Sequence, residues 1–235
     1  MADNSIKNRK SKFHLDTFEK TTEKRRQKVL TVAIDEFAAK GYSATSINDI
    51  SRKAHISIGS MYSYFASKED LFLTIVNNSY FVMEKILNDV AVNCTDVYDC
   101  VEKMLAASRK FALEYPQLNQ IYLDITTQAL SQMSVRLSEK LENITPHLLS
   151  GIIKKAKKEG TVRMDIDERV ASFVIDNIFM MYQFSFSSNY YKERMRIYLG
   201  EEKLLDIDQV EGSILKFINA ALGKTGDAGG KPEVV

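Results

Sequence analysis

Apolar residues recur at helical spacing along almost the whole chain. Leu30, Ala33, Ile34, Phe37 and Ala38 form one stripe, which predicts a helix over residues 22–40 closed by Gly41 as its C-cap. Ile47, Ile50 and Ala54 repeat the spacing over a shorter segment, with Thr45 or Ser46 in front as N-cap. After a turn at His55 and Ile56, Ser57 can cap a third helix. In that helix Met61 and Phe65, one turn apart, face inward, leaving Ser60, Tyr62, Ser63 and Tyr64 to face outward. Ser67 and Asp70 resemble a capping box, and the apolar positions from Leu71 to Leu87 carry a long helix to about residue 92. Further helices are predicted over residues 96–115, 117–132, 134–159, 167–190 and 207–222, divided by Pro116, the segment LSQMS, Gly160 and the acidic stretch 200–208. Pro146 is expected to kink or divide the 134–159 segment.

Three prolines in 235 residues, with 45% hydrophobic residues, agree with an all-α globular chain. Residues 1–66 carry 12 Lys or Arg against 7 Asp or Glu, whereas the remaining 169 carry 20 against 24. The basic end is therefore the end with the two short helices, which suits an anionic partner there. Lys24, Arg25, Arg26 and Lys28 crowd the front of the first helix, where cations oppose its dipole, so a partner explains them better than helix stability does. Residues 1–21 read as a basic flexible arm and 223–235 as a disordered tail. Cys94 and Cys100 match no zinc or disulfide pattern and read as two ordinary thiols at a helix junction, a redox pair being the alternative. With no secretory segment and no apolar run long enough to cross a bilayer, a cytoplasmic chain without membrane contact is expected.

The run FAAKGYSATSINDISRKAHISIGSMYSYFASKEDL, from Phe37 to Leu71, resembles the DNA-binding signature of the tetracycline-repressor (TetR) family of bacterial transcriptional regulators. The matched positions are Phe37, Gly41, Tyr42, Thr45, Ile47, Ile50, Ala54, Ser57, Gly59, Tyr62, Tyr64, Phe65, Ser67, Lys68 and Leu71. The family has Gly in the turn where this chain has His55; His tolerates positive φ better than most residues, so the fold is expected to be kept. The resemblance implies a three-helix helix-turn-helix head over residues 22–66 and a larger helical effector-binding and dimerisation body over 67–222. It also implies a double-stranded DNA operator, a homodimer and a small effector as partners. On the matched positions, Thr45 and Ser46 would meet phosphate and Asn48 a base or phosphate. Ile58, Gly59 and Ser60 would enter the major groove, Tyr62, Tyr64 and Lys68 would grip the backbone, and Ser57 and Ser63 complete the DNA-binding candidates. Ile58 stands where the family commonly has a Lys or polar residue, which suggests contact with a thymine methyl.

The segment 167–190 is apolar nearly all round and the last helix carries a second apolar stripe, a surplus that a second copy of the chain would bury. The resemblance places the dimer interface on these two helices, with Phe173, Ile178, Ile214, Phe217 and Ile218 as its candidates. Phe111, Tyr115, Tyr122, Phe179, Tyr182 and Phe186 are the candidate lining for a largely apolar effector. Catalytic patterns are missing: His14, His55 and His147 are the only imidazoles, and no metal-ligand cluster, cofactor motif or nucleophile motif stands out. A ligand-responsive repressor is thus the leading reading. An effector-independent activator or architectural DNA-binder, and a helical protein-interaction module, are its rivals; a specific footprint released by a metabolite separates them.

Overall fold

The computed structural model describes residues 13–126, residue 130 and residues 144–223. The predicted arm up to residue 12, the tail from 224, and the predicted helical segments across 127–129 and 131–143 lie outside the described residues. The chain divides into two compact units, Met1–Ser79 and Tyr80–Val235. Among the described residues all regular structure is helical, and no helix is long and apolar enough to cross a membrane.

In the first unit, α1 spans Asp16–Lys20, α2 Glu23–Ala44, α3 Ile47–Ala54 and α4 Ile58–Tyr64. α5, Lys68–Asn93, begins here, and its Ser67–Asp70 start is the predicted cap: the Asp70 amide donates to Ser67 Oγ at 3.0 Å. Gly41 interrupts α2 at φ 73°, ψ 168°, a conformation that favours glycine, so the regular helix ends where the sequence predicts. Phe37, Ile50, Met61, Phe65, Leu71 and Phe72 form a closed core. The Phe37 and Phe72 rings meet edge to face at 5.1 Å, an arrangement that sets the approach of α5 to α2.

Part of the expected flexible arm is ordered. Asp16–Lys20 is a helix anchored by Phe18, whose buried ring lies 4.7 Å from Phe65 and 5.4 Å from Tyr64. The Leu15 amide donates to the Tyr64 carbonyl at 2.8 Å, and Thr17 Oγ1 donates to the Ser63 carbonyl. Burying one phenylalanine stabilises by about 2 kcal/mol, enough to hold one helical turn that its own length could not.

The second unit holds the rest of α5, then α6 Val97–Glu114, α7 Pro116–Ile125, α8 Ile144–Glu159, α9 Glu168–Phe184, α10 Asn189–Leu199, α11 Glu201–Leu204 and α12 Ile207–Leu222. Asp96, Asp167 and Asp206 cap α6, α9 and α12 with their carboxylates. α9 packs on α8, α6 and α7, and α12 on α6, around Val101, Leu105, Leu149, Ile153, Ile175, Phe179 and Ile218. Pro146 falls in the first described turn of α8, and the described helix is undivided. The 167–190 segment is two helices rather than one, because the chain turns through Ser185–Ser188.

The cysteines are a further correction. Cys94 and Cys100 form a disulfide, with Cα atoms 5.1 Å apart. Six positions along one helix would separate the pair too far, but α5 stops at Asn93 and α6 starts at Val97, so the chain doubles back between them. Lys103 holds the same corner, its ammonium donating to the Asn93 carbonyl and to Asp99 Oδ2, each at 2.8 Å.

Candidate nucleic-acid interface

α3 and α4 are joined by a turn that the backbone itself locks. Ser46 accepts the Asn48 amide at 3.2 Å and opens α3. His55 closes it in the left-handed region, φ 56°, ψ 46°, the conformation for which other chains would use glycine. The His55 amide donates to the Arg52 carbonyl and the Ile56 amide to the Ser51 carbonyl, at 3.1 and 3.0 Å. Ser57 then accepts the Ser60 amide at 3.0 Å and starts α4.

Ile47, Ile50, Ala54 and Met61 pull one face of this pair into the core, which turns the other face of α4 outward. There Ile58 is 41% and Tyr62 52% exposed, with Gly59 and Ser63 exposed beside them. Asn48 is exposed on α3, and Ser57 and Ser60 share a hydrogen bond between hydroxyls at 2.9 Å. α4 carries no charged side chain, whereas Lys24, Arg25 and Lys28 are exposed at the front of α2. Arg25 reaches Ser60 Oγ at 3.5 Å, the outer limit of a hydrogen bond, and so brings a cation to the edge of the α4 surface. The approach of Arg25 to α4 spans 35 residues of sequence and leaves no trace in local spacing.

Three of the expected DNA contacts are engaged within the head. Tyr64 is 6% exposed, its ring packed between Phe18 and Phe65, because the one-turn α1 covers the face that was assigned to solvent. Thr45 is buried, its hydroxyl 2.7 Å from the Gly41 carbonyl and 3.1 Å from that of Glu36. The Lys68 ammonium donates to the carbonyls of Tyr42 and Thr45 at 2.8 and 3.0 Å. These three residues shape the helix-turn-helix from behind.

Other cations are also held internally. Glu36, buried on α2, pairs with Lys40 at 2.8 Å and with Lys53 from α3. Their hydrogen bonds, Lys40 first and Lys53 next, hold the Glu36 carboxyl below the usual carboxylate range. Arg52 pairs with Asp49 at 2.6 Å. A buried acid ringed by two lysines joins α2 to α3, and its i, i+4 spacing to Lys40 was the trace of it in the sequence.

The family model of bacterial regulatory proteins of the tetR family matches residues 29–75, which contain α3, α4 and the turn between them. This head is a tetR-family regulatory domain. The chain is similar to the fatty acid metabolism regulator protein of Bacillus subtilis, 26% identical over 63% of this chain and 75% of that protein. It is also similar to the probable acrEF/envCD operon repressor of Escherichia coli K12, 24% identical over 66% of this chain and 73% of that one. In fold it matches the transcriptional regulator FadR of Bacillus subtilis, solved in complex with stearoyl-CoA, at a TM-score of 0.66 and 14% identity over 82% of this chain and 96% of that one. The protein is a DNA-binding transcriptional regulator with an amino-terminal helix-turn-helix head.

In the body of this regulator the aromatic candidates fall into pairs. Phe111 and Tyr115 lie 5.4 Å apart, Tyr182 and Phe186 4.9 Å, and Tyr122 pairs with Phe184 at 5.7 Å. Phe111, Phe179 and Tyr182 are buried. The Tyr182 hydroxyl donates to Glu211 Oε1 at 2.9 Å, and the same oxygen takes the Arg109 Nε at 2.9 Å. Burial, with the Glu211 carboxylate after it, pushes the Tyr182 phenol far above its ordinary range. Behind them Asn119 and Gln183 are buried and bonded to each other, a polar pair that apolar patterning could not reveal.

Of the candidate interface residues, Phe173 is 70% and Phe217 68% exposed, on α9 and α12. Ile178 and Ile214 are half-buried. Ile218 is 2% exposed inside its own unit, so it has no surface to offer a partner. A groove of about 340 Å³ runs beside Val170, Val174, Ile178 and Phe217, and another of about 540 Å³ beside Phe173, Met181, Tyr198 and Ile214.

Proposed function

We propose that this regulator is a ligand-responsive homodimeric repressor, released from a near-palindromic operator by a small, largely apolar effector. The observation that carries the reading is the exposed apolar strip of Val170, Phe173, Val174 and Phe217 on α9 and α12. Exposed large apolar patches mark interaction surfaces, and a single head bearing one short recognition helix meets only one half-site. Two copies joined through the strip meet two half-sites at once, which makes the second contact intramolecular. The aromatic pairs of the body favour an effector with an apolar moiety, and the acyl chain of stearoyl-CoA, the molecule bound to the FadR neighbour, is a first candidate for that moiety.

The test begins with selection from random DNA by the full chain, followed by titration of the selected duplex in the presence of acyl thioesters of graded chain length. A ligand that binds the DNA-free arrangement better by roughly 1–3 kcal/mol weakens operator binding about 5- to 150-fold. Linkage requires that operator weaken the same ligand by the same factor, which calorimetry with and without DNA measures. Equal affinity in both conditions removes that ligand from consideration however tightly it binds.

A further inference from the structure

Ile58 is the first residue of α4 and is 41% exposed, although it is one of the most apolar side chains available. Two-fifths of its surface faces solvent, an apolar area the head leaves uncovered. The neighbouring glycine is unexplained by the fold: Gly59 does not have a positive φ, and a Cβ built there would meet only Ser57 Oγ, at 3.9 Å. Its missing side chain serves neither a turn nor internal packing. What it leaves is a low, open place directly beside the isoleucine, where another surface can come close.

The three serines around it are already engaged. Ser57 and Ser60 bond to each other, and Ser63 Oγ donates to the Ser60 carbonyl at 2.8 Å. Guanine is read by Arg or Lys and adenine by Asn or Gln, and α4 has none of these. The one apolar group that the major groove displays is the 5-methyl of thymine. Resting on the DNA-binding reading above, we infer that Ile58 packs against a thymine methyl in each operator half-site, and that this contact sets base preference at that position.

The test uses the full chain and the duplex selected from random DNA. Each thymine is replaced in turn, in both half-sites together, by deoxyuridine, which keeps the base-pairing edge and removes only the methyl. Binding is followed by fluorescence anisotropy at one salt concentration. At one position the wild type should lose about fourfold per half-site, roughly 15-fold for both, as expected for one exposed methyl. Ile58→Ala should bind the thymine and uracil duplexes equally, and Ile58→Val should keep part of the difference. Because the side chain is exposed, both variants are expected to melt like the wild type. An operator indifferent to every thymine methyl, or an Ile58→Ala chain that still prefers thymine, overturns the inference and leaves DNA binding intact. Selection that yields no preferred sequence overturns the DNA-binding reading and this inference with it.

Discussion

Lys68 and Tyr42 are joined twice: the Lys68 ammonium donates to the Tyr42 carbonyl at 2.8 Å and stands 4.5 Å from the centre of the Tyr42 ring. The same nitrogen donates to the Thr45 carbonyl at 3.0 Å and approaches that of Ser43 at 3.3 Å. A lysine ammonium has three N–H groups, and here all three point at the carbonyls that lead from α2 into α3. The first residue of α5 therefore fixes the entry to the helix-turn-helix.

Lys68→Ala is accordingly expected to lower the stability of the head, by about 2 kcal/mol if the loss resembles other hydrogen bonds to charged groups. It should leave the salt dependence of DNA binding almost unchanged. Arg25→Ala should do the reverse, keeping the melting temperature and lowering the magnitude of the salt slope by about one. Thermal melts and binding isotherms at four salt concentrations distinguish the two. A salt slope that drops for Lys68→Ala would return that lysine to the phosphate backbone.

Glu36 makes the head sensitive to acid. Its carboxyl titrates below the ordinary value of 4.5 because of Lys40 and Lys53, so it binds fewer protons folded than unfolded. The stability it contributes is complete above that value and is lost as pH falls through the lower folded one. Glu36→Gln removes the titration. Denaturant melts should show wild type and variant well separated near neutral pH and converging in acid; a constant gap would mean that the carboxylate is not the group concerned.

The parts of the head that were legible in the sequence are those decided within one or two turns. Gly41 ends a helix, Ser46 and Ser57 start helices, and His55 sits in the left-handed turn, because each depends on its immediate neighbours. The internal partners of Tyr64 and Lys68 are not legible in the sequence because they are distant: Phe18 lies 46 residues from Tyr64, and the carbonyls bound by Lys68 lie 23 to 26 residues before it. Ile218 was ambiguous for another reason. An apolar stripe marks what must be buried, not whether the same chain or a second copy buries it, and α12 divides between Ile218 inside and Phe217 outside.

The Cys94–Cys100 disulfide closes a short loop between α5 and α6. Chain-entropy arguments assign such a link about 2 kcal/mol, and the Lys103 and Asp96 hydrogen bonds hold the corner independently. Adding a reductant should thus lower the melting temperature of the second unit without unfolding it. A Cys94→Ser, Cys100→Ser chain should match the reduced wild type and ignore the reductant. If wild type melts identically with and without reductant, the bridge adds nothing to stability.

The dimer proposal makes opposite demands on two adjacent residues. Phe217 is exposed and borders the groove of about 340 Å³ beside Val170 and Val174; Ile218, the next residue, is sealed into the core with Ile175 and Leu222. In a two-fold contact each Phe217 meets the same surface on its mate, so one substitution alters the interface twice. Phe217→Asp should give a monomer by light scattering with undiminished helix content, and Phe173→Asp the same. Because the second half-site contact then ceases to be intramolecular, operator affinity should fall by roughly 10²- to 10⁴-fold while binding to a single half-site is kept. Ile218→Asp buries an unpaired carboxylate and should instead unfold the second unit. A Phe217→Asp chain that remains dimeric would place the interface away from this strip.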